Sequence, residues 1–177
     1  YYLLKIDDPG KARAWLRTLS KEKRITNGSH RGTTWCLNLA FSYKGLINLQ
    51  QIGRSNESFE LAFRDGMDSD RRSVVLGEQG ENKPQKWYWG NKDEPVDVLL
   101  MLYAKNDAIH EERKNYEESA FSSAGIHVIK KLETLPIQDY PSTKEHFGFV
   151  DGISDPIVEV FPKTTKTPIS TDPQAPR

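Results

Sequence analysis

The segment of this chain with the clearest potential for chemistry surrounds Asp151, which has Gly148 and Gly152 close by. Glycine lets a backbone pass close to a flat surface where a Cβ would clash. Apolar neighbours would keep the surroundings of the acid dry: Phe147, Phe149, Val150 and Ile153. Because a dry pocket raises the pKa of a carboxyl group, such an acid suits proton transfer. The same residues also fit a tight turn in which Asp151 only caps the backbone.

Composition excludes several other classes of function. The 177 residues include 25 Lys plus Arg and 25 Asp plus Glu, so the net charge gives no reason to expect binding to nucleic acid or to an anionic membrane. The longest apolar stretches, such as residues 98–103, are too short to span a bilayer. The single cysteine, Cys36, excludes a disulfide framework and a Cys-rich metal site. The sequence contains no Gly-rich phosphate loop, Ser–His–Asp set or zinc-ligand spacing.

The rest of the chain predicts the scaffold that positions this acid. Apolar runs predict strands at residues 1–6, 37–41, 96–104 and 126–135. Helices are predicted after Asp8 and Pro9, within residues 42–51, and over 107–123 before Gly125. Two split β–α–β units of this kind predict an α+β fold, a ferredoxin-like antiparallel sheet with helices on one face.

The sequence pattern of residues 53–95 predicts secondary structure less clearly. Phe59, Ala62 and Phe63 predict one or two helical turns that end near Gly66. Residues 68–94 are predicted to form a long loop, and loops of this length inside a domain are often functional.

The predicted domain covers residues 1–160 and ends in the segment around Asp151. Residues 161–177 hold four of the ten prolines, among Thr and Ser, and are predicted to be a linker or the start of a second domain. The chain begins with Tyr rather than Met, so we expect it to belong to a longer protein. No signal peptide is visible, which leaves both a cytoplasmic and a secreted location open.

The acidic segment resembles the Gly-x-x-Asp-Gly signature of the dye-decolourising peroxidases. Around this signature the resemblance extends from Glu145 to Ser154. Further blocks upstream occur in the same order as in the family, so that the resemblance covers roughly residues 1–160. These blocks are Ile6-Asp7-Asp8-Pro9, Ala14-Trp15-Leu16, Leu37-Asn38-Leu39-Ala40-Phe41, Gly45-Leu46, Phe63-Arg64-Asp65-Gly66-Met67 and Val96-Asp97-Val98-Leu99-Leu100. The order of the blocks is more specific than the five-residue pattern alone.

The resemblance implies a haem b enzyme that uses hydrogen peroxide to oxidise dyes and phenolic aromatics. In that family two ferredoxin-like domains hold the haem, which sits mostly in the second. Asp151 would be the distal acid–base residue, taking a proton from the inner peroxide oxygen and returning it to the outer one. Gly152, Ile153 and Ser154 would contact the haem, and so would Phe149.

The chain departs from the family in its haem ligands. The family places its proximal His and distal Arg in the carboxy-terminal half, so the axial His is not expected in this chain. None of its four histidines is predicted to replace it: His30, His110, His127 and His146. His146 lies five positions before Asp151, and five residues span at most about 17 Å, which makes wrapping around a porphyrin edge unfavourable. We therefore expect this chain alone to bind haem weakly and to have little peroxidase activity.

Several residues have alternative interpretations. Trp87, Tyr88 and Trp89 are predicted to pack on the sheet, although the resemblance also allows a radical exit. Asp155 stands where the family usually has an amide, and its carboxylate either raises the pKa of Asp151 or points away. Cys36 is predicted to be buried, and the pairs Glu111-Glu112 and Glu117-Glu118 to be helix-surface charge.

The alternative function is a non-catalytic ferredoxin-like binding or assembly module. In either case one face of the sheet is expected to lack a cover within this chain, which favours self-association into a homo-oligomer.

Overall fold

One antiparallel sheet organises the protein. The computed structural model describes residues 1–27, 32–50 and 58–134. Within these ranges the strands are β1 (Tyr2–Ile6), β2 (Trp35–Phe41), β3 (Val98–Ala104) and β4 (Ile126–Lys131). They pair in the order β2–β3–β1–β4, and every pair is antiparallel. This order and the helices between the strands confirm the predicted ferredoxin-like α+β fold.

Two helices cover one face of this sheet. They are α1 (Pro9–Lys21) and α5 (Asp107–Phe121). Asp8 caps α1 as predicted, because its Oδ1 accepts hydrogen bonds of 3.0 Å from the backbone amides of Gly10 and Lys11. The core combines alternate strand residues with the apolar faces of the helices, and its members include Tyr2, Leu4, Ile6, Trp15, Leu19, Leu37, Leu100 and Phe121. The pattern follows from the period of two along each strand and of 3.6 along α1.

The charged helix α5 differs from its prediction. Glu117 is only 1% exposed, and its carboxylate forms an ion pair with Arg24, which is also buried. Tyr116 is 49% exposed and packs under the Arg24 guanidinium, with Arg24 Cζ 4.4 Å from the ring centroid. The prediction that Glu117 is helix-surface charge was therefore wrong. A helix can bury a charge when another segment supplies its counter-ion.

The chain between β2 and β3 is more structured than predicted. It contains the short helices α2 (Tyr43–Asn48), α3 (Leu61–Asp65) and α4 (Asp70–Leu76). Two 3₁₀ turns follow, at Gly80–Asn82 and Pro84–Lys86. The prediction of a long loop over residues 68–94 was therefore wrong, whereas the helical turn ending at Gly66 is confirmed. Within the described ranges, no helix is long and apolar enough to cross a membrane.

Candidate functional site

The residues predicted to carry out peroxide chemistry lie outside the described ranges. These are Asp151 as the acid–base residue and Phe149, Gly152, Ile153 and Ser154 as haem contacts. His30, His146 and Asp155 lie outside as well. Their roles therefore stay predictions.

The two described histidines lie in open surroundings. His127 is exposed on β4, as its alternation with Ile126 and Val128 predicts. The side chain of His110 is 41% exposed near the start of α5, with its Nδ1 3.9 Å from Glu111 Oε1. Among the residues described, no group of three or more His, Cys, Asp and Glu could hold a metal ion. This part of the chain thus supplies no enclosed imidazole that would fit an axial haem ligand.

A large cavity lies between the open face of the sheet and the segment that connects β2 to β3. Its volume is about 790 Å³. Leu3, Ala40 and Leu99 come from the sheet positions that alternate with the core residues. The other walls are largely apolar or aromatic and include Phe41, Tyr43, Phe63, Met67, Trp87, Tyr88, Trp89, Pro95 and Val96. The open sheet face is therefore partly covered by the chain's own connecting segment.

Three aromatic rings hold one wall of this cavity in place. The Tyr43 ring contacts the Phe59 and Phe63 rings edge to face, with centroid distances of 6.0 and 5.9 Å. The Phe59 and Phe63 rings also contact each other, at 5.3 Å. An ion pair adds to this attachment, because Lys44 Nζ lies 2.6 Å from Oδ2 of the buried Asp68. These contacts join α2 to α3 and to the chain that follows it.

Asn91 shapes the aromatic loop at another side of the cavity. Its Oδ1 accepts hydrogen bonds of 2.8 Å from the backbone amides of Asp93 and Glu94, and its Nδ2 donates to the Trp87 carbonyl. The prediction that the three aromatics pack on the sheet was wrong for Tyr88, which is 98% exposed, and Trp89 is 40% exposed. Trp87 is half-buried, and its indole Nε1 donates to the Asn82 carbonyl. All three aromatics line the cavity.

Arg64 is the cavity residue that sequence reasoning missed. It lines the cavity, and its Nε is buried without a hydrogen-bond partner. Its guanidinium forms no ion pair with any of the residues that the structure describes. In the sequence, Arg64 stands out only as part of a block that resembles the peroxidase family. The sequence feature that could have identified Arg64 is its position directly after Phe63 and three residues before Met67, both of which are apolar.

Three of the blocks that resemble the peroxidase family meet at the edge of the cavity. Asp97 is buried, and its Oδ2 accepts hydrogen bonds from the Ile6 amide at 2.8 Å and from Asn48 Nδ2 at 3.3 Å. The Asp97 carbonyl accepts a 3.0 Å hydrogen bond from the Ser42 amide. Gly45 packs directly on the Asp97 backbone, where a Cβ would lie 2.2 Å from the carbonyl oxygen. This junction fixes α2 against the start of β3.

A tyrosine pair forms the most perturbed acid–base group on the open side of β3. The hydroxyl oxygens of Tyr1 and Tyr103 are 2.9 Å apart. This hydrogen bond, together with burial, raises the pKa of Tyr103 to about 12. Tyr103 therefore stays protonated at neutral pH and is unsuited to act as a general base there.

The fold is similar to that of a known peroxidase. The crystal structure of AauDyP, a DyP-type peroxidase, complexed with imidazole matches with a TM-score of 0.66 and 20% sequence identity. The match covers 92% of this chain and 35% of that chain. No family model matches the sequence, and no curated protein matches it either. The similarity shows a peroxidase-like fold, and this chain spans about a third of the length of AauDyP.

Proposed function

We propose that this chain is the amino-terminal part of a haem-dependent peroxidase of the dye-decolourising type. The observation that carries the proposal is the similarity to AauDyP over 92% of this chain. The Gly-x-x-Asp-Gly segment that ends in Gly152 supports it independently, because similarity of fold does not depend on the presence of a particular acid. The parent protein would use hydrogen peroxide to oxidise dyes and phenolic aromatics. Residues 1–160 would form its first domain, and residues 161–177 would lead to a second.

In this proposal Asp151 moves one proton. Haem, when bound, supplies the iron at which the peroxide oxygen–oxygen bond is cleaved. The Asp151 carboxylate would accept a proton from the inner peroxide oxygen and would then donate it to the outer oxygen. The apolar neighbours, Phe149 among them, exclude solvent, so that the proton is not lost to bulk water. Gly152, Ile153 and Ser154 would contact the porphyrin through their backbone and small groups.

Replacing Asp151 with Asn in the haem-loaded full-length protein should slow its reaction with peroxide by about 100-fold or more, because an amide neither accepts nor returns the proton. Stopped-flow absorbance would give the rate, and the unreacted spectrum would show that haem remains bound. Asp139→Asn is the matched control, since it makes the same chemical change outside the segment that resembles the peroxidase signature, and it should react within a few-fold of the wild type. Equal rates for Asp151→Asn and wild type would exclude the acid–base role.

The 177-residue chain alone should bind haem only weakly, since the proposal assigns the axial imidazole to the second domain. Titration with hemin should give a broad, non-saturating Soret change. His110→Ala and His127→Ala should leave this change as it is, because neither imidazole lines the apolar cavity. A tight complex of one haem per chain with a sharp Soret band would show that this chain carries its own ligand.

A further inference from the structure

We propose that the cavity between the open sheet face and the segment joining β2 to β3 binds an aromatic anion. The expected ligand has one or two flat rings and a single carboxylate or sulfonate group. The inference does not rest on the proposed peroxidase function, because its argument uses only described residues and its test requires neither haem nor peroxide.

The size and lining of the cavity suit a small aromatic molecule. Its volume of about 790 Å³ falls within the range of roughly 300–1,000 Å³ that small-molecule sites occupy. Leu3, Leu99 and Val96 supply aliphatic surface, and Phe63 and Trp87 supply rings. Flat aromatic ligands gain both apolar burial and ring contacts on such a surface.

The walls are held in place without a ligand. The contacts among the Tyr43, Phe59 and Phe63 rings attach α3 to α2. On another side, the three hydrogen bonds of Asn91 shape the loop that carries Trp87. A site that already has its shape loses less conformational entropy when a ligand binds.

Charge selects an anion over a neutral or cationic ligand. The described lining residues that are charged at neutral pH are Lys44, Arg64 and Asp68. Lys44 and Asp68 neutralise each other in their ion pair, which leaves the Arg64 guanidinium as one uncompensated positive charge. A guanidinium beside apolar walls is short of hydrogen-bond acceptors, and a carboxylate or sulfonate can accept two parallel hydrogen bonds from it. A ligand with several charges would lose hydration against the apolar walls without finding further partners.

The test compares two fluorescent probes that differ in one charged group. The first is 8-anilinonaphthalene-1-sulfonate, and the second is N-phenyl-1-naphthylamine, which has the same rings without the sulfonate. We expect the sulfonate probe to bind the 177-residue chain saturably with one site. Arg64→Gln should weaken its binding by about tenfold, because a charge-assisted hydrogen bond is lost, and should change the neutral probe less than twofold.

Arg72→Gln is the matched control. Arg72 is half-buried like Arg64, and its Nε is also buried without a partner, but it does not line the cavity. This variant removes the same charge from a neighbouring helix and should leave both probes within twofold of the wild type. If Arg72→Gln weakens the sulfonate probe as much as Arg64→Gln does, the effect is general electrostatics and the proposed anion site is wrong.

A cavity-filling variant tests the location. Ala40 is exposed on β2 and lines the cavity, so Ala40→Phe should occupy part of it without disturbing the core. We expect weaker binding of both probes and an unchanged urea midpoint. The proposal is overturned if the wild type shows no saturable binding, as it would if a second copy or the chain's own remaining residues covered this surface. It is also overturned if Ala40→Phe leaves both probes unaffected.

Discussion

Replacing Glu117 with Ala is expected to lower the free energy of unfolding by about 3 kcal/mol or more. The substitution leaves the Arg24 guanidinium buried without the carboxylate that faces it. Glu22, 3.2 Å from Arg24, and the Tyr116 ring compensate in part, which favours the lower end of the range for a broken buried pair. Urea denaturation followed by circular dichroism would measure the change.

Glu112→Ala provides the matched control for this prediction. Glu112 lies on the same helix and pairs with Arg113, but its side chain is 65% exposed. Exposed ion pairs contribute about 1 kcal/mol or less, so this variant should be close to the wild type. If Glu117→Ala is as stable as Glu112→Ala, the Arg24–Glu117 ion pair does not carry the energy assigned to it.

A double substitution separates the pair from the burial of its members. Glu117 Oε2 and Arg24 Nε are both buried without hydrogen-bond partners among the described residues, so the pair only partly recovers its desolvation cost. Arg24→Met combined with Glu117→Leu should therefore recover most of the stability that Glu117→Ala loses. A double variant no more stable than Glu117→Ala would mean that the lost stability comes from packing rather than from an unpaired charge.

Gly45→Ala is the second substitution for which we expect a large effect, a loss of about 3 kcal/mol. The new Cβ would lie 2.2 Å from the Asp97 carbonyl oxygen and 2.8 Å from its carbonyl carbon. Because these are backbone atoms, α2 and β3 must separate. Their separation strains the hydrogen bonds of the Ser42 amide to the Asp97 carbonyl and of the Ile6 amide to the Asp97 carboxylate. The urea midpoint should fall, and the sulfonate probe should bind less tightly because α2 forms a cavity wall.

Gly10→Ala is the control, since it makes the same change in an open helical position. Its new Cβ would lie 3.3 Å from Asp8 Oδ1, the end of a side chain that is able to shift slightly. Alanine stabilises helices over glycine by about 0.5–1 kcal/mol, so Gly10→Ala should be neutral or slightly stabilising. A Gly45→Ala variant as stable as Gly10→Ala would show that α2 accommodates the methyl group, and the close approach to Asp97 would then have no structural importance.

Local signals predicted the regular elements well. Asp8 and Pro9 marked the start of α1, and the alternation around Leu37 and Leu39 marked β2. Such signals are strong because capping and periodicity depend on residues a few positions apart. Residues 68–94 were predicted less well, because α4 and the two 3₁₀ turns are shorter than the window over which helical periodicity becomes visible.

The two candidate sites also differ in whether local sequence reveals them. Asp151 was found from sequence because its surrounding glycines and apolar residues are contiguous, and its role stays a proposal. The cavity was not found, because its lining comes from β1, β2, β3 and the connecting segment, and each contributes only a few residues. Arg64 becomes notable only when these parts meet around it.

The sequence by itself determined the ferredoxin-like order of strands and helices, since hydrophobic periodicity and helix caps depend on residues that are close together in the chain. Tertiary structure alone decided which charges are buried and which surface is open. Glu117 is buried because Arg24, 93 positions away, reaches its carboxylate. The open sheet face becomes a cavity because the contact between Gly45 and Asp97 holds α2 beside it. Both outcomes depend on contacts between distant segments, which no local pattern specifies.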